Sequence, residues 1–332
     1  MLLLANIEVP NAMMTQFTAD IPAAWGPHAV PRMQQVLAHP NFDRAVAVYL
    51  DGMVKAHRGH PMLNHLMSEI GRFTTVSLGL YLHAGGGLDG FRDGLTLTRL
   101  QDLIGGLRVA SRGRVEAVVR ELVQGEFMLV GTDDADRRRR PLIPTDKLKH
   151  AMLAWQVPHM AAIDLLRPEP GFAAKLAEDH AFYLALQRSL GDRFLSGVHL
   201  ALPFTDMLEF FNHDCGYMLL LCLLAAPPVE SGSNFGRTVR MPFSEVIQGN
   251  GISRSHVRRL MLAAEEKGLV RIEAAGGQVI AIAPRLDLTF REWMAATFWC
   301  FETDAETALR HCQNETGIIA PKSGQANKPK TC

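Results

Sequence analysis

The sequence predicts a mostly helical protein with small β-hairpins, built as two similar units joined by further helices. Leu, Ala, Met and Val dominate a chain that is 48% hydrophobic and only 7% aromatic, which favours helices over β-sandwiches. Several landmarks recur when the sequence is shifted by 142 residues. In each repeat, helical periodicity gives way to two short β-like runs separated by turn residues.

Length and composition bound the class of protein. A chain of 332 residues exceeds one average domain, so we expect two. The five cysteines include no CxxC pair, which argues against a disulfide framework or zinc site and favours a reducing cytoplasm. The apolar start lacks the basic flank of a signal peptide. No run reaches the roughly 18 apolar residues of a membrane span, so we expect no membrane association.

The internal repeat rests on the order of features more than on identity, and chance similarity between helical segments is the alternative. Further helices precede each unit, at roughly 41–57 and 171–190. The segments predicted are an N-terminal helical segment (1–60), the first unit (61–165), connecting helices (166–202), the second unit (203–312) and a disordered tail (313–332). The landmarks paired by the shift, with one extra residue downstream, are Ile104 with Val246, Ser111-Arg112 with Ser253-Arg254, Val115 with Val257, Gly125 with Gly268, and Trp155 with Phe298.

Each element of the first unit has its own signal. Helical spacing predicts helices over 61–83 and 97–104, the second broken by Gly105-Gly106. Ser111 is a good N-cap for the next helix, which Gly125 ends. Residues 127–130 form a strand, 132–136 a polar tip and 142–143 the returning strand. The apolar positions predicted to face inward from the serine-capped helix are Val115, Val118, Val119 and Leu122.

The second unit repeats this order. A helical pattern over 203–225 and a Pro/Gly-rich loop over 227–233 precede a short helix over 243–247. Residues 249–251 are the turn, and Ser253 caps a helix with Val257, Leu260, Met261 and Ala264 on its inward face. Residues 269–272 then pair with 279–282 across a Gly-containing turn.

A helix, a turn, a second helix and a hairpin in this order predict a winged helix-turn-helix, which binds DNA. The N-terminal end of the second helix enters the major groove, where free N–H groups and basic side chains meet phosphates and base edges. The hairpin tip, or wing, reaches the minor groove. The candidate DNA-binding residues are Ser111, Arg112, Arg114, Arg137, Arg138, Arg139, Arg140, Ser253, Arg254, Ser255, His256, Arg258 and Arg259.

Charge distribution supports that prediction although the chain is neutral overall. Residues 99–149 carry 11 Lys/Arg against eight Asp/Glu, and residues 237–291 carry nine against five. The remainder is therefore net negative. Four consecutive arginines at 137–140 are poorly explained by stability, because neighbouring like charges repel.

The stretch from about Arg72 to Trp155 resembles the MarR family of bacterial transcription regulators. The resemblance is carried by the wing pattern over 132–138, which ends in Asp136-Arg137-Arg138, and by Thr145 as the N-cap of the following helix. It implies that Asp136 and Arg138 brace the wing. It also implies a small-molecule effector, and a dimer that this chain builds either as a homodimer or internally through a pseudo-twofold. Pro144 departs from the family pattern, and the second unit lacks the wing signature.

Other signals have plainer interpretations. His57, His60 and His65 lack the flanking ligands of a metal site, and a Cys215 nucleophile would need partners on its own helix face. Tryptophans 155, 293 and 299 are expected to pack in cores, with an effector pocket as the alternative. We expect neither cofactor nor metal.

The predicted function is a sequence-specific transcription regulator, without catalytic activity, acting in the cytoplasm at the nucleoid. Two alternatives stay open. One is a plasmid-type replication initiator, and the other is a winged-helix protein that binds other proteins.

Overall fold

The computed structural model describes residues 17–58, 64–65, 70–86, 94–133, 136, 138–250 and 252–319. Within these residues the chain is mostly helical, with two small antiparallel sheets, as the sequence predicted. His60, Arg137, Gly251 and the predicted tail from residue 320 onward lie outside the described residues.

The first half of the chain contains six described α-helices and one hairpin. A short 3-10 turn, Ala23–Trp25, precedes them. In chain order the elements are α1 (Ala29–Leu37), α2 (Phe42–His57), α3 (Ile70–His83), α4 (Leu97–Leu107), α5 (Arg112–Gln124), β1 (Met128–Val130), β2 (Leu142–Pro144) and α6 (Asp146–Leu166).

The second half repeats this order and, among the described residues, has one strand more. In chain order the elements are α7 (Phe172–Glu178), α8 (His180–Leu195), α9 (Thr205–Phe211), α10 (Gly216–Ala225), β3 (Arg237–Val239), α11 (Phe243–Asn250), α12 (Arg254–Glu266), β4 (Val270–Ala274), β5 (Val279–Ile282) and α13 (Pro284–Ile319). We call the part from α3 to β2 the first module and the part from α10 to β5 the second module.

The two sheets differ in width. In the first module β1 pairs with β2, with Leu129 opposite Ile143, and Thr96 adds one isolated bridge to Pro141. In the second module a full strand stands at the place of that bridge, so the sheet has the order β3-β5-β4. The sequence had predicted the β4–β5 hairpin but not β3.

The serine-capped helices α5 and α12 have the same length and the same position relative to their capping serines. Each begins after a serine, Ser111 or Ser253, and ends 13 residues later. The turn that follows requires a left-handed residue, which is Glu126 with φ 60° in the first module and Gly268 with φ 65° in the second. The shift of 142 residues therefore continues through this turn. Pairing Gly125 with Gly268 was wrong by one residue.

The closing helices α6 and α13 begin at equivalent points, because the residue before each donates its N–H to the carbonyl of the residue before β1 or β4. From these starts Trp155 is equivalent to Trp293, and His159 to Thr297. The sequence alignment had paired Trp155 with Phe298. The loop between the two hairpin strands is longer in the first module, which reduces the shift and explains the error.

The two halves exchange their leading helices. Helix α1 of the first half packs against α13 of the second, and α7 of the second half packs against α6 of the first. Helix α2 lies along α6 and also contacts α10, while α8 lies along α13 and also contacts α3. Helix α2 comes close to α6 at Gly52, where an added Cβ would lie 2.8 Å from the Cβ of Pro158. Each of these helix pairs in one half thus has a counterpart in the other.

Buried apolar side chains form two clusters that do not follow the two predicted units. One contains only the first module and the start of α6, including Leu100, Val115 and Met152. The other joins α1, α2, the rest of α6 and all of the second half into one core. Helices α1 and α2 therefore belong to the main core.

Five predicted boundaries are corrected by the structure. Helix α4 runs through Gly105-Gly106 to Leu107, and α11 runs through residues 249–250, because a helix interior tolerates glycine at moderate cost. Residues 313–319 continue α13 instead of beginning the tail. The helix expected over 171–190 is divided at Asp179, whose side chain caps α8. The pattern over 203–225 is divided at Cys215, which has φ 58°.

Among the described residues, no single helix is both long and apolar enough to cross a membrane. Helices α9 and α10 pass that test only when counted together, and they are bent by 117°.

Candidate nucleic-acid interface

The serine caps of α5 and α12 leave the N-terminal ends of both helices open. The Ser111 hydroxyl accepts the N–H of Arg114 at 3.3 Å, and the Ser253 hydroxyl accepts the N–H of His256 at 3.2 Å. One of the four unpaired N–H groups of each helix is satisfied in this way. The others, together with the positive end of the helix dipole, favour an anion at this place.

Basic side chains surround the N-terminal end of α5. Arg112 and Arg114 are both exposed. The Arg112 guanidinium donates to the carboxylate of Asp102 on α4 at 2.6 Å, and both side chains of that pair are about 60% exposed. An exposed ion pair contributes little free energy, so Arg112 can be redirected to another anion at small cost.

Helix α12 presents a denser basic surface. Arg254, Ser255 and Arg258 are exposed, and neither arginine is ion-paired with a described carboxylate. These side chains line a shallow groove along one face of α12 that continues to Arg259 and Leu262.

His256 has a different place from its neighbours on α12. Its Nε2 lies 2.5 Å from the carbonyl oxygen of Asp214, and its Nδ1 lies 2.9 Å from the guanidinium of Arg259. Both ring nitrogens are therefore engaged within the protein. His256 connects α12 to the turn between α9 and α10, and thereby orients this helix.

The loop that joins β1 to β2, residues 131–141, carries the arginine run and is called here the arginine loop. Arg139 donates to the carboxylate of Asp133 at 2.9 Å across the loop. Asp136 accepts the backbone N–H of Arg138 at 3.0 Å. The Arg138 and Arg140 side chains are exposed, and neither is ion-paired with a described carboxylate. Of the three arginines that the structure describes in this loop, one is therefore held in an ion pair and two are exposed.

The family resemblance had implied that Asp136 and Arg138 brace this loop. Asp136 does so through the backbone of Arg138, whereas the arginine side chain in the described ion pair is that of Arg139. Thr145 stands at the N-cap of α6 but does not cap it, because its hydroxyl donates to the carbonyls of Glu126 and Phe127 instead.

Sequence reasoning missed the acidic and carbonyl groups that position these basic side chains. Asp133 lies six residues before Arg139 in a loop, where neither helical nor strand periodicity applies. Asp102 and Arg112 belong to two different helices, and Asp214 is 42 residues from His256. The acidic run that precedes the arginine run in this loop was the one local signal, and it indicated an ion pair without identifying its members.

A second feature is an apolar cavity of about 410 Å³ between the two halves. Its wall includes Trp155 and Trp293, the equivalent tryptophans of the closing helices, together with Phe73 and Phe301. His159 also lines it and stacks on Phe301 with ring centroids 4.4 Å apart. Burial lowers the pKa of His159 to about 3, although the bond from its Nδ1 to the Trp155 carbonyl opposes the shift. The ring is therefore neutral near pH 7.

Two other candidate sites have structural surroundings. Burial, with a smaller contribution from Asp214, raises the pKa of the Cys215 thiol to about 11, so the thiolate that a nucleophile needs is scarce near neutral pH. The Nδ1 of His57 lies 2.7 Å from the side-chain oxygen of Asn64. Within the described residues, no group of three or more His, Cys, Asp and Glu side chains is arranged to hold a metal ion.

Comparisons of this chain with protein-family models, with curated proteins and with solved structures found no match.

Proposed function

We propose that this protein is a transcription regulator that binds double-stranded DNA through two winged helix-turn-helix modules, the first of them of the MarR kind. Helices α4 and α5 with the β1–β2 hairpin are one module, and α11 and α12 with the β4–β5 hairpin are the other. Helices α5 and α12 are the recognition helices, and the arginine loop is the wing of the first module. This role places the protein at the nucleoid.

The observation that carries the proposal is the equivalence of α5 and α12. Both are 13 residues long, both are capped by serine, and both present exposed arginines in their first turns. Two helices that merely face solvent have no reason to share these features, whereas two copies of a DNA-reading element are expected to share them. Arginine can bond guanine through two N–H groups, and serine can bond a phosphate or a base.

The pairing of the two halves supports a single binding unit with two recognition helices. The exchange of α1 and α7 builds within one chain the interface that a homodimer builds between two. Because α5 and α12 carry different side chains after their caps, the two half-sites on DNA should differ in sequence. We therefore propose an asymmetric operator.

Residues of the proposed interface have unequal roles. Arg112, Arg114, Arg254 and Arg258 are the candidates for base or phosphate contacts, since their side chains are exposed at the recognition helices. His256 is a positioning residue, because both of its ring nitrogens are bonded within the protein. Candidates for phosphate or minor-groove contacts on the wing are Arg138 and Arg140.

The test is selection of a binding site from random duplex DNA, followed by fluorescence anisotropy with two double variants. We expect R112A/R114A and R254A/R258A each to weaken binding to the selected duplex, by about 1–3 kcal/mol for every base that an arginine no longer bonds. R120A is the matched control, because Arg120 is exposed on α5 but lies far from its N-terminal end and pairs with Glu116. Wild-type affinity in both double variants would remove the recognition helices from the interface.

The same preparation separates the two alternative functions. A protein-binding module would bind duplex DNA weakly at low salt, without the steep loss of affinity on adding salt that phosphate contacts produce. A replication initiator would occupy iterated repeats at an origin in a genome-wide binding map. A regulator would occupy single sites upstream of genes.

A further inference from the structure

The cavity between the two halves has the dimensions and the wall of a small-molecule site. Its volume of about 410 Å³ falls within the roughly 300–1,000 Å³ of such sites. The wall is largely aromatic and aliphatic, with Phe73 and Trp155 from the first half and Phe211, Trp293 and Phe301 from the second. Leu202, at the rim, is 56% exposed, so the cavity is reachable from the surface.

Three buried polar groups at this wall have no hydrogen-bond partner among the described residues. One is the indole N–H of Trp155 on α6. The other two lie on α13: the indole N–H of Trp293, which is 6% exposed, and the hydroxyl of Thr297, which is 1% exposed. These two stand four residues apart and therefore on one face of that helix. An unsatisfied buried polar group costs about 1–3 kcal/mol, which a ligand atom could recover.

The Thr297 hydroxyl is unusual for its own helix. The hydroxyls of Thr303 and Thr307 each donate to the carbonyl four residues earlier, at 2.8 Å. Thr297 makes no such bond although the Trp293 carbonyl stands four residues before it. Its hydroxyl is thus left for a group that is not part of the described chain.

The main charged and polar side chains at the cavity wall are either uncharged near pH 7 or paired with another side chain. Arg193 lines the cavity, but its guanidinium donates to the buried carboxylate of Asp304 at 2.6 Å. Burial lowers the pKa of both His159 and His199, so neither adds a positive charge near pH 7. Gln156 and Gln187 bond each other at 3.1 Å. Transfer of a carboxylate from water into these surroundings would be costly, whereas an uncharged ligand avoids that cost.

We propose that the cavity binds an uncharged, planar aromatic molecule with an acceptor oxygen, which the Trp293 N–H and the Thr297 hydroxyl contact. The aromatic walls provide the apolar surface, and the two donors on α13 fix the orientation. The site belongs to both halves, since α3 and α6 supply one side and α8, α10 and α13 the other. This binding does not depend on the proposed function and is measured without DNA.

The test uses three probes of one shape: 2-acetonaphthone, which has an acceptor oxygen, 2-ethylnaphthalene, which has none, and 2-naphthoate, which is charged. Quenching of tryptophan fluorescence reports binding to the full-length protein, because two tryptophans line the cavity. We expect the ketone to bind about fivefold or more tighter than the hydrocarbon, as one recovered hydrogen bond predicts. The naphthoate should bind more weakly than the ketone.

The variant T297V removes the hydroxyl while keeping the shape of the side chain, and T303V is its matched control on the same helix. We expect T297V to weaken ketone binding about fivefold and leave hydrocarbon binding unchanged, and T303V to change neither. No binding of any probe to the wild type would overturn the site. Equal affinities for ketone and hydrocarbon, or equal loss of both in T297V, would overturn the hydrogen bond. Tightest binding of the naphthoate would overturn the uncharged class.

Discussion

The two modules are built from the same series of elements but differ in how they are held. The first module has a core of its own and a two-stranded sheet, on which the apolar residues Leu129, Val130 and Ile143 are exposed. The second module shares the main core and has a third strand, β3. Its helix α12 is bonded through His256 to the turn between α9 and α10, and Lys267 at the C-terminal end of α12 pairs with Glu209.

The two modules therefore differ in their loops as well as in their cores. The first module carries the long arginine loop and is bonded to the second half through Tyr81, whose hydroxyl donates to the Asp192 carboxylate at 2.7 Å. The second module is anchored and has a short turn over residues 275–278. Four experiments would test this contrast.

The largest expected effect concerns stability at acidic pH. His159 in α6 is a buried titratable residue, whereas Thr297, at the equivalent position of α13, does not titrate. The pKa of His159 is lowered to about 3 by burial, below the roughly 6.5 of an unfolded histidine. The unfolded chain therefore binds the proton more tightly, so stability is complete above about pH 6.5 and falls as the pH drops toward 3. The expected slope from this residue is about 1.4 kcal/mol per pH unit.

Urea unfolding at pH 7, 6 and 5 measures this slope. In H159Q the loss between pH 6 and 5 should be smaller than in the wild type, whatever the variant's stability at pH 7. H150Q, which changes an exposed histidine on the same helix, is the control and should keep the wild-type slope. Identical slopes in wild type and H159Q would show that His159 is protonated in the folded state.

The next largest effect tests the division of the core. Val115 and Val257 occupy equivalent positions and both are fully buried. Either substitution to alanine removes two methyl groups and should cost about 2 kcal/mol. Hydrogen exchange should show V115A raising exchange in α4 and α5 alone, and V257A raising it also in α2 and α13. If V115A loosened the whole chain, the first module would not be a separate unit.

A smaller effect concerns the wing and rests on the proposed function. The double variant R138S/R140S removes two exposed charges from the arginine loop, so the slope of log affinity against log salt should fall by roughly 1 for each phosphate that is no longer neutralised. The loss of affinity should be similar on all duplexes. A sequence-dependent loss would instead assign these arginines to base contacts.

The smallest expected effect joins the cavity to DNA binding and rests on both proposals. Leu107 and Val109, which precede the recognition helix α5, line the cavity, whereas no described residue of α11 or α12 does. Saturating 2-acetonaphthone should therefore change affinity several-fold through the first half-site and leave the second unaffected. Duplexes with one or the other half-site scrambled measure this, and an equal change on both would contradict the asymmetry.

Local signals in the sequence predicted most elements of the modules, since capping and apolar spacing depend on near neighbours. Ser111 and Ser253 cap their helices as predicted, and Val115 and Val257 are buried as predicted. Gly105-Gly106 misled because the helix continues through both residues. Strand β3 was missed because three residues carry too little periodicity to be recognised.

Long-range features could not be predicted from the sequence. The exchange of α1 and α7 depends on packing between elements far apart in the chain, and neither helix carries a local sign of its destination. The cavity depends on Trp293 and Thr297 lacking partners, which only the arrangement of several helices decides. The true equivalence of Trp155 and Trp293 was hidden because the modules differ in wing length.

The exchanged helices also have a consequence for concentration. A homodimer separates into subunits when it is diluted, and its affinity for a two-part site then falls with protein abundance. Here the halves are covalently joined and interlocked through α1 and α7, so each half meets the other at a high effective concentration that is independent of copy number. On the proposed function, a few molecules per cell would therefore still present both recognition helices to one DNA site.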